Sequence, residues 1–138
     1  MKPAADERSA RAAVSAPLVL QTIHAMRTRL SDPERWCQRT LAVDMHDGAR
    51  SPSEPSAVAW CLFGAAELEL EIAWQDDGAV ASHRAPFRTE LFRVLNTAVA
   101  QFSTGRYLFV APFNDASSHA EVLAFLDFAI KGLEANHE

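Results

Sequence analysis

The stretch Trp60-Cys61-Leu62-Phe63-Gly64-Ala65-Ala66, continuing through Glu67-Leu68-Glu69-Leu70-Glu71-Ile72, decides the fold class of this 138-residue chain. Its first half is apolar almost all round, yet it carries an indole N–H and a thiol, polar groups that must find partners or do chemistry. Its second half alternates acidic and apolar residues, a pattern open to a helix or a strand. Glu, Leu and Ala are good helix formers, and the run from Trp60 to Ala66 leads into the alternation, so a helix is favoured and a strand is the alternative. The helix is expected to open at Pro55-Ser56. Val58, Cys61, Leu62, Ala65, Leu68 and Ile72 then share one face, with Trp60 and Phe63 well away from it. A helix apolar on more than one side is usually central in its domain.

Upstream, Ser15 reads as an N-cap with Pro17 in the first turn. Val19, Ile23, Met26 and Leu30 follow as one buried stripe. Ser31-Asp32-Pro33 ends that helix and opens a short turn or helix carrying Trp36 and Leu41. The polar segment from Asp44 to Pro55, punctuated by Gly48 and Pro52, reads as a loop. Downstream, Asp76-Asp77-Gly78 is a turn followed by a loop to Ala85. Pro86 then starts a helix with Phe87, Leu91, Val94, Leu95, Ala98 and Phe102 on its buried face. Thr104-Gly105 stops it, and Tyr107–Val110 suits a short strand or an extended buried segment. Ser118-His119-Ala120-Glu121 is a capping box, in which serine and glutamate satisfy each other's backbone N–H groups. Val122, Leu126, Ala129 and Leu133 carry the last stripe, and Phe128, off that stripe, marks a second contact.

These elements predict an all-α or nearly all-α fold, a compact bundle of four to five helices. Residues 1–14 are expected as a frayed or flexible segment and residues 15–138 as a single helical domain. With 49% hydrophobic and 22% charged residues the composition is globular. A net charge of −5 argues against an electrostatic grip on nucleic acid, the nearest basic patch being Arg84, Arg88, Arg93 and Arg106. Cys37 and Cys61 are too few for a disulfide framework. No stretch is apolar enough for a bilayer span or a signal-peptide core, so a cytoplasmic location is expected.

The order Trp36, polar loop, Ala59-Trp60-Cys61-Leu62-Phe63-Gly64-Ala65, then Phe113-Asn114-Asp115 ahead of the last helix resembles a group of small bacterial and phage proteins. They are grouped as the domain of unknown function family 6197, and the resemblance covers about Trp36 to Ile130. The chain has Phe113 where that family tends to show tryptophan, and its acidic Glu67–Glu71 stretch and the longer loop after it also depart. The resemblance implies no reaction. It singles out Trp60, Cys61, Gly64, Asn114 and Asp115.

Three readings of those residues follow. In the first, Gly64 lets another helix approach, Trp60 donates its N–H to Asn114, Asp115 or a backbone carbonyl, and Asn114-Asp115 fix the turn before the capping box. Trp36, Trp60, Gly64, Asn114 and Asp115 then form a structural or binding hub. In the second, Cys61 is a nucleophile, His119 its base, and Asn114 or Asp115 the group that orients the imidazole. Against it, a thiol set between large apolar groups has a raised pKa and is inert. In the third, Asp44, His46 and Asp47 ligate a metal, although the glycine of that loop comes one position too early for a calcium loop. Glu67, Glu69 and Glu71 read as surface solvation. No cofactor is implied. The favoured function is a non-enzymatic binding or protein-interaction module, homo-oligomeric through an apolar patch that includes Phe128. A small cysteine-dependent hydrolase or transferase is the alternative, and the partner is a protein or small ligand.

Overall fold

Five α-helices and one very small sheet make up the computed structural model, which describes residues 4–76 and 84–136. They are α1 (Ala4–Arg29), α2 (Leu62–Asp76), α3 (Arg84–Phe102), α4 (Val110–Ala116) and α5 (His119–Asn136). A 3₁₀ turn, Pro33–Arg35, follows α1, with the Asp32 side chain accepting from the Glu34 N–H as its cap. Strands β1 (Ala42–Val43), β2 (Ala49–Arg50) and β3 (Ala59–Trp60) come next, in the antiparallel order β2-β1-β3. Helix α1 packs on α5 and α2, while α3 packs on α5 and α1.

The fold is mostly helical, as the sequence predicts, and its stripes are largely where periodicity puts them. Val19, Ile23, Met26 and Leu30 of α1 are all buried, as are Phe87, Leu91, Leu95 and Ala98 of α3. In α5, Val122, Leu126 and Ala129 are buried together with Phe125 and Ile130. Burying each of these side chains larger than alanine stabilises the fold by about 1.5–3 kcal/mol. The alternating stretch Glu67–Ile72 is helical and lies inside α2.

The central helix begins later than expected. Trp60 is a strand residue of β3 and α2 opens at Leu62, so Pro55-Ser56 is not a helix start. The reason is pairing. Ala59 and Trp60 face Val43 and Ala42 across an antiparallel ladder, and Trp36 bridges Trp60 in parallel on the other side. The buried stripe shifts accordingly to Leu62, Ala65, Ala66, Glu69 and Leu70, while Val58 is exposed.

The polar segment expected as a loop is partly a hairpin, with β1 and β2 joined through Asp44–Gly48. Asp44 organises its turn. Its carboxylate accepts from the backbone N–H groups of His46 and Gly48 and from Arg50 Nε, each at 2.9 Å. Those bonds hold its carboxyl below the ordinary carboxylate range.

The expected extended segment at Tyr107–Val110 is absent as a strand, and Val110 instead starts α4, which carries Asn114 and Asp115. Ser15, expected as a cap, lies inside α1, as does Pro17, where the missing N–H removes one donor. Arg84 and Ala85, expected in a loop, begin α3. The expected turn at Asp77-Gly78 and the loop after it through residue 83 lie outside the described residues. The capping box forms as expected, with Ser118 Oγ accepting from the Glu121 N–H at 3.1 Å and Glu121 Oε1 accepting from the Ser118 N–H at 3.0 Å. Among the described residues no helix is long and apolar enough to cross a membrane.

Candidate functional site

Asn114 sits where the sheet, the start of α2 and helix α4 meet, and its side chain is fully buried. A primary amide offers two N–H donors and an oxygen with two lone pairs. Asn114 uses all of them. Its Oδ1 accepts from Trp36 Nε1 at 2.7 Å and from the Leu62 N–H at 3.1 Å. Its Nδ2 donates to the Cys37 carbonyl at 3.1 Å and to Asp115 Oδ1 at 3.2 Å. One side chain therefore ties the Trp36-Cys37 segment, the first turn of α2 and helix α4 together, groups separated by up to 78 positions in sequence.

Around it, Gln38 Nε2 faces the Asn114, Asp115 and Ser117 carbonyls at 3.2, 3.2 and 2.9 Å. Asp115 Oδ1 accepts from the Arg39 N–H at 2.7 Å. That bond fixes Arg39 at φ +72°, a left-handed conformation that costs a non-glycine residue about 1 kcal/mol or more. Gln38 and Arg39 carry no motif that would have found them. The one available signal is their position directly after Trp36-Cys37.

Of the partners expected for the Trp60 indole, the structure provides a backbone carbonyl. Trp36, not Trp60, reaches Asn114, while Trp60 Nε1 donates to the Pro52 carbonyl at 3.0 Å. The Arg29 guanidinium lies 5.0 Å from the Trp60 ring centroid and pairs with Glu69 Oε1 at 2.5 Å. Glu69 is thus a buried ion-pair partner rather than a solvated surface acid.

Gly64 is required by close approach, as expected, but to the chain ahead of β1 rather than to a helix. A Cβ on Gly64 would lie 1.9 Å from the Leu41 carbonyl oxygen. That carbonyl also accepts from the Cys61 N–H, so the backbone is held against the glycine from both directions.

Cys61 is buried, and its sulfur accepts from the Gly64 N–H at 3.3 Å. Burial pushes its thiol up, which leaves little of the thiolate a catalytic nucleophile needs. His119 faces elsewhere. Its Nε2 lies 2.7 Å from the Leu30 carbonyl, and because a carbonyl only accepts, that nitrogen carries the hydrogen. Its ring packs 5.7 Å from the Trp36 ring, centroid to centroid. Among the described residues Cys61 and His119 share no hydrogen bond.

Asp44, His46 and Asp47 fall in the β1–β2 turn, where the Asp44 carboxylate is spent on backbone N–H groups and Arg50. Among the described residues no three His, Cys, Asp or Glu side chains are placed to hold a metal ion. Of the four arginines expected as the nearest basic patch, Arg84, Arg88 and Arg93 are paired with Glu71, Glu67 and Glu90.

The residues so assembled, Trp36, Trp60, Gly64, Asn114 and Asp115, are those of the Ala-Trp-Cys-x-x-Gly-Ala and aromatic-Asn-Asp motifs together with the upstream tryptophan. A model of a family of unknown function, DUF6197, matches residues 14–132. The chain belongs to that family. No curated protein and no solved structure matches it. In this DUF6197 chain the matched span runs from α1 to α5, so it includes every group that Asn114 joins.

Proposed function

We propose that this DUF6197 protein is a non-enzymatic protein-interaction module that docks its partner through Leu108 and Phe109. The observation that carries this reading is their exposure, 59% and 60%, for two large apolar neighbours at the head of α4. Ala111 and Pro112 beside them are exposed too, while Val110, Phe113 and Asn114 are buried. The patch therefore stands on a short helix anchored from below. The Val110 N–H donates to Asn96 Oδ1 at 3.1 Å, and Asn114 is locked by four hydrogen bonds. Aromatic side chains such as Phe109 dominate interface energetics, and a patch held rigid loses little freedom on docking. Burying the pair contributes about 1–2 kcal/mol for each side chain. A saturated amide hub and a protonated buried thiol favour this reading over the cysteine-dependent hydrolase or transferase.

The test places a photo-crosslinking amino acid at position 109 in the cells that make the protein. One discrete protein adduct is expected, lost when Leu108 is changed to serine and not obtained from Gln101, a polar exposed position. Equal labelling from both positions, or none from 109, would refute it. An adduct with a second copy of the chain would redirect the reading to self-association.

A further inference from the structure

Neither thiol takes part in the hub's hydrogen-bond network, yet Cys37 and Cys61 each follow directly on one of the two residues that the fold pairs. Trp36 and Trp60 bridge in parallel, and the Cys37 N–H donates to the Trp60 carbonyl at 3.1 Å. In parallel pairing, facing residues project their side chains to the same side, and adjacent chains run about 4.8 Å apart. Cys37 and Cys61 are the next residues along the two paired segments. A disulfide needs Cα atoms about 4.4–6.8 Å apart, a range that one strand spacing satisfies. The Asp115 carboxylate lies near enough to both sulfurs to oppose their ionisation.

We propose that Cys37 and Cys61 form a reversible disulfide that latches the segment after the 3₁₀ turn onto the start of α2. The oxidant is a small-molecule disulfide such as oxidised glutathione. Cys37, the more exposed thiol, loses its proton and attacks one glutathione sulfur, breaking the S–S bond and releasing a glutathione thiolate. The Cys61 thiolate then attacks the Cys37 sulfur of the mixed disulfide and expels the second glutathione. The two protons lost by the cysteines end on the two glutathiones, and two electrons pass from the protein to the oxidant. The latch makes covalent a junction otherwise held by the Trp36–Trp60 bridge and its backbone hydrogen bonds. It also replaces the weak bonds each sulfur makes in the reduced form, from the Gly64 N–H to Cys61 and from Cys37 to the Thr40 carbonyl at 3.6 Å.

Burial pushes the Cys37 thiol up to about 12, so oxidation is slow and the pair stays reduced unless an oxidant persists. The latch responds to the standing thiol–disulfide balance rather than to brief exposure.

The test equilibrates the folded protein overnight with oxidised glutathione, quenches with acid and measures intact mass. Expected are a loss of about 2 Da, no alkylatable thiol after denaturation, and a monomer on a non-reducing gel. Peptide mapping should give a Cys37–Cys61 cross-link, and the melting temperature should rise by about 5 °C, reversed by dithiothreitol. Two thiols retained, a reaction that stops at one glutathione on Cys37, or an oxidised form that melts no higher would each overturn the proposal. Cys61→Ser should stop at the glutathione adduct. Should that variant not fold, the native chain alone still decides.

Discussion

Helices α2 and α4 begin in the same way and end up doing opposite things. The first N–H of α2, on Leu62, donates to Asn114 Oδ1 at 3.1 Å, and the first N–H of α4, on Val110, donates to Asn96 Oδ1 at 3.1 Å. At each start the first orphan donor is satisfied by an asparagine from elsewhere in the fold; α2 adds a local cap, the Cys61 sulfur accepting from the Gly64 N–H, which α4 lacks. The residues just before them diverge. Cys61 is 5% exposed and packed inside, whereas Phe109 is 60% exposed. The same hydrogen bond closes the interior at one start and holds an apolar side chain out to solvent at the other. The surroundings of a cap, not its chemistry, decide which.

The largest effect should come from removing the buried cap. Asn114→Ala leaves the Trp36 indole N–H, the Leu62 N–H and the Cys37 carbonyl without their partner. Each buried group left unsatisfied costs about 1–3 kcal/mol, so a loss of about 3–5 kcal/mol is expected in urea unfolding, allowing for some water entry. A loss under about 1 kcal/mol would mean that the three segments are joined by packing alone.

Gly64→Ala ranks next. The added methyl carbon would lie 1.9 Å from the Leu41 carbonyl oxygen, and backbone rather than a flexible side chain must yield. A loss of about 2–3 kcal/mol is expected, despite alanine's better helix propensity. A stabilised variant would show that the chain ahead of β1 moves freely against α2, and the closed character of that start would be gone.

What could be read from the sequence was what is local. Val19, Ile23, Met26 and Leu30 announce their buried face because helical spacing repeats within the segment. Ser118 and Glu121 announce a capping box because both halves of it lie three residues apart. Trp60 reads as helical in the sequence because a strand of two residues has no period to detect, and its partners lie at Ala42 and Trp36. The motifs identified Asn114 and Gly64 as special but not what they touch. With three tryptophans in the chain, nothing in the sequence ranks Trp36 above Trp60 as the donor to Asn114. Glu69 looked like one of three equivalent surface acids, and only the approach of Arg29 from α1 sets it apart.

The smallest effect belongs to the open start, and it bears most directly on the comparison. Asn96→Ala removes a single cap from a partly exposed position, for an expected loss of about 1 kcal/mol. Both asparagines act on α4, which runs only from Val110 to Ala116: Asn96 holds its first N–H, and Asn114 stands near its other end. A helix of two turns has little stability of its own, so releasing one end should loosen the grip at the other. The double variant is therefore expected to lose about 0.5–1 kcal/mol less than the sum of the single losses, measured by a double-mutant cycle in urea. Additive losses would make the two starts independent. Coupled losses would make the exposed Leu108-Phe109 face depend on the same buried amide that closes α2.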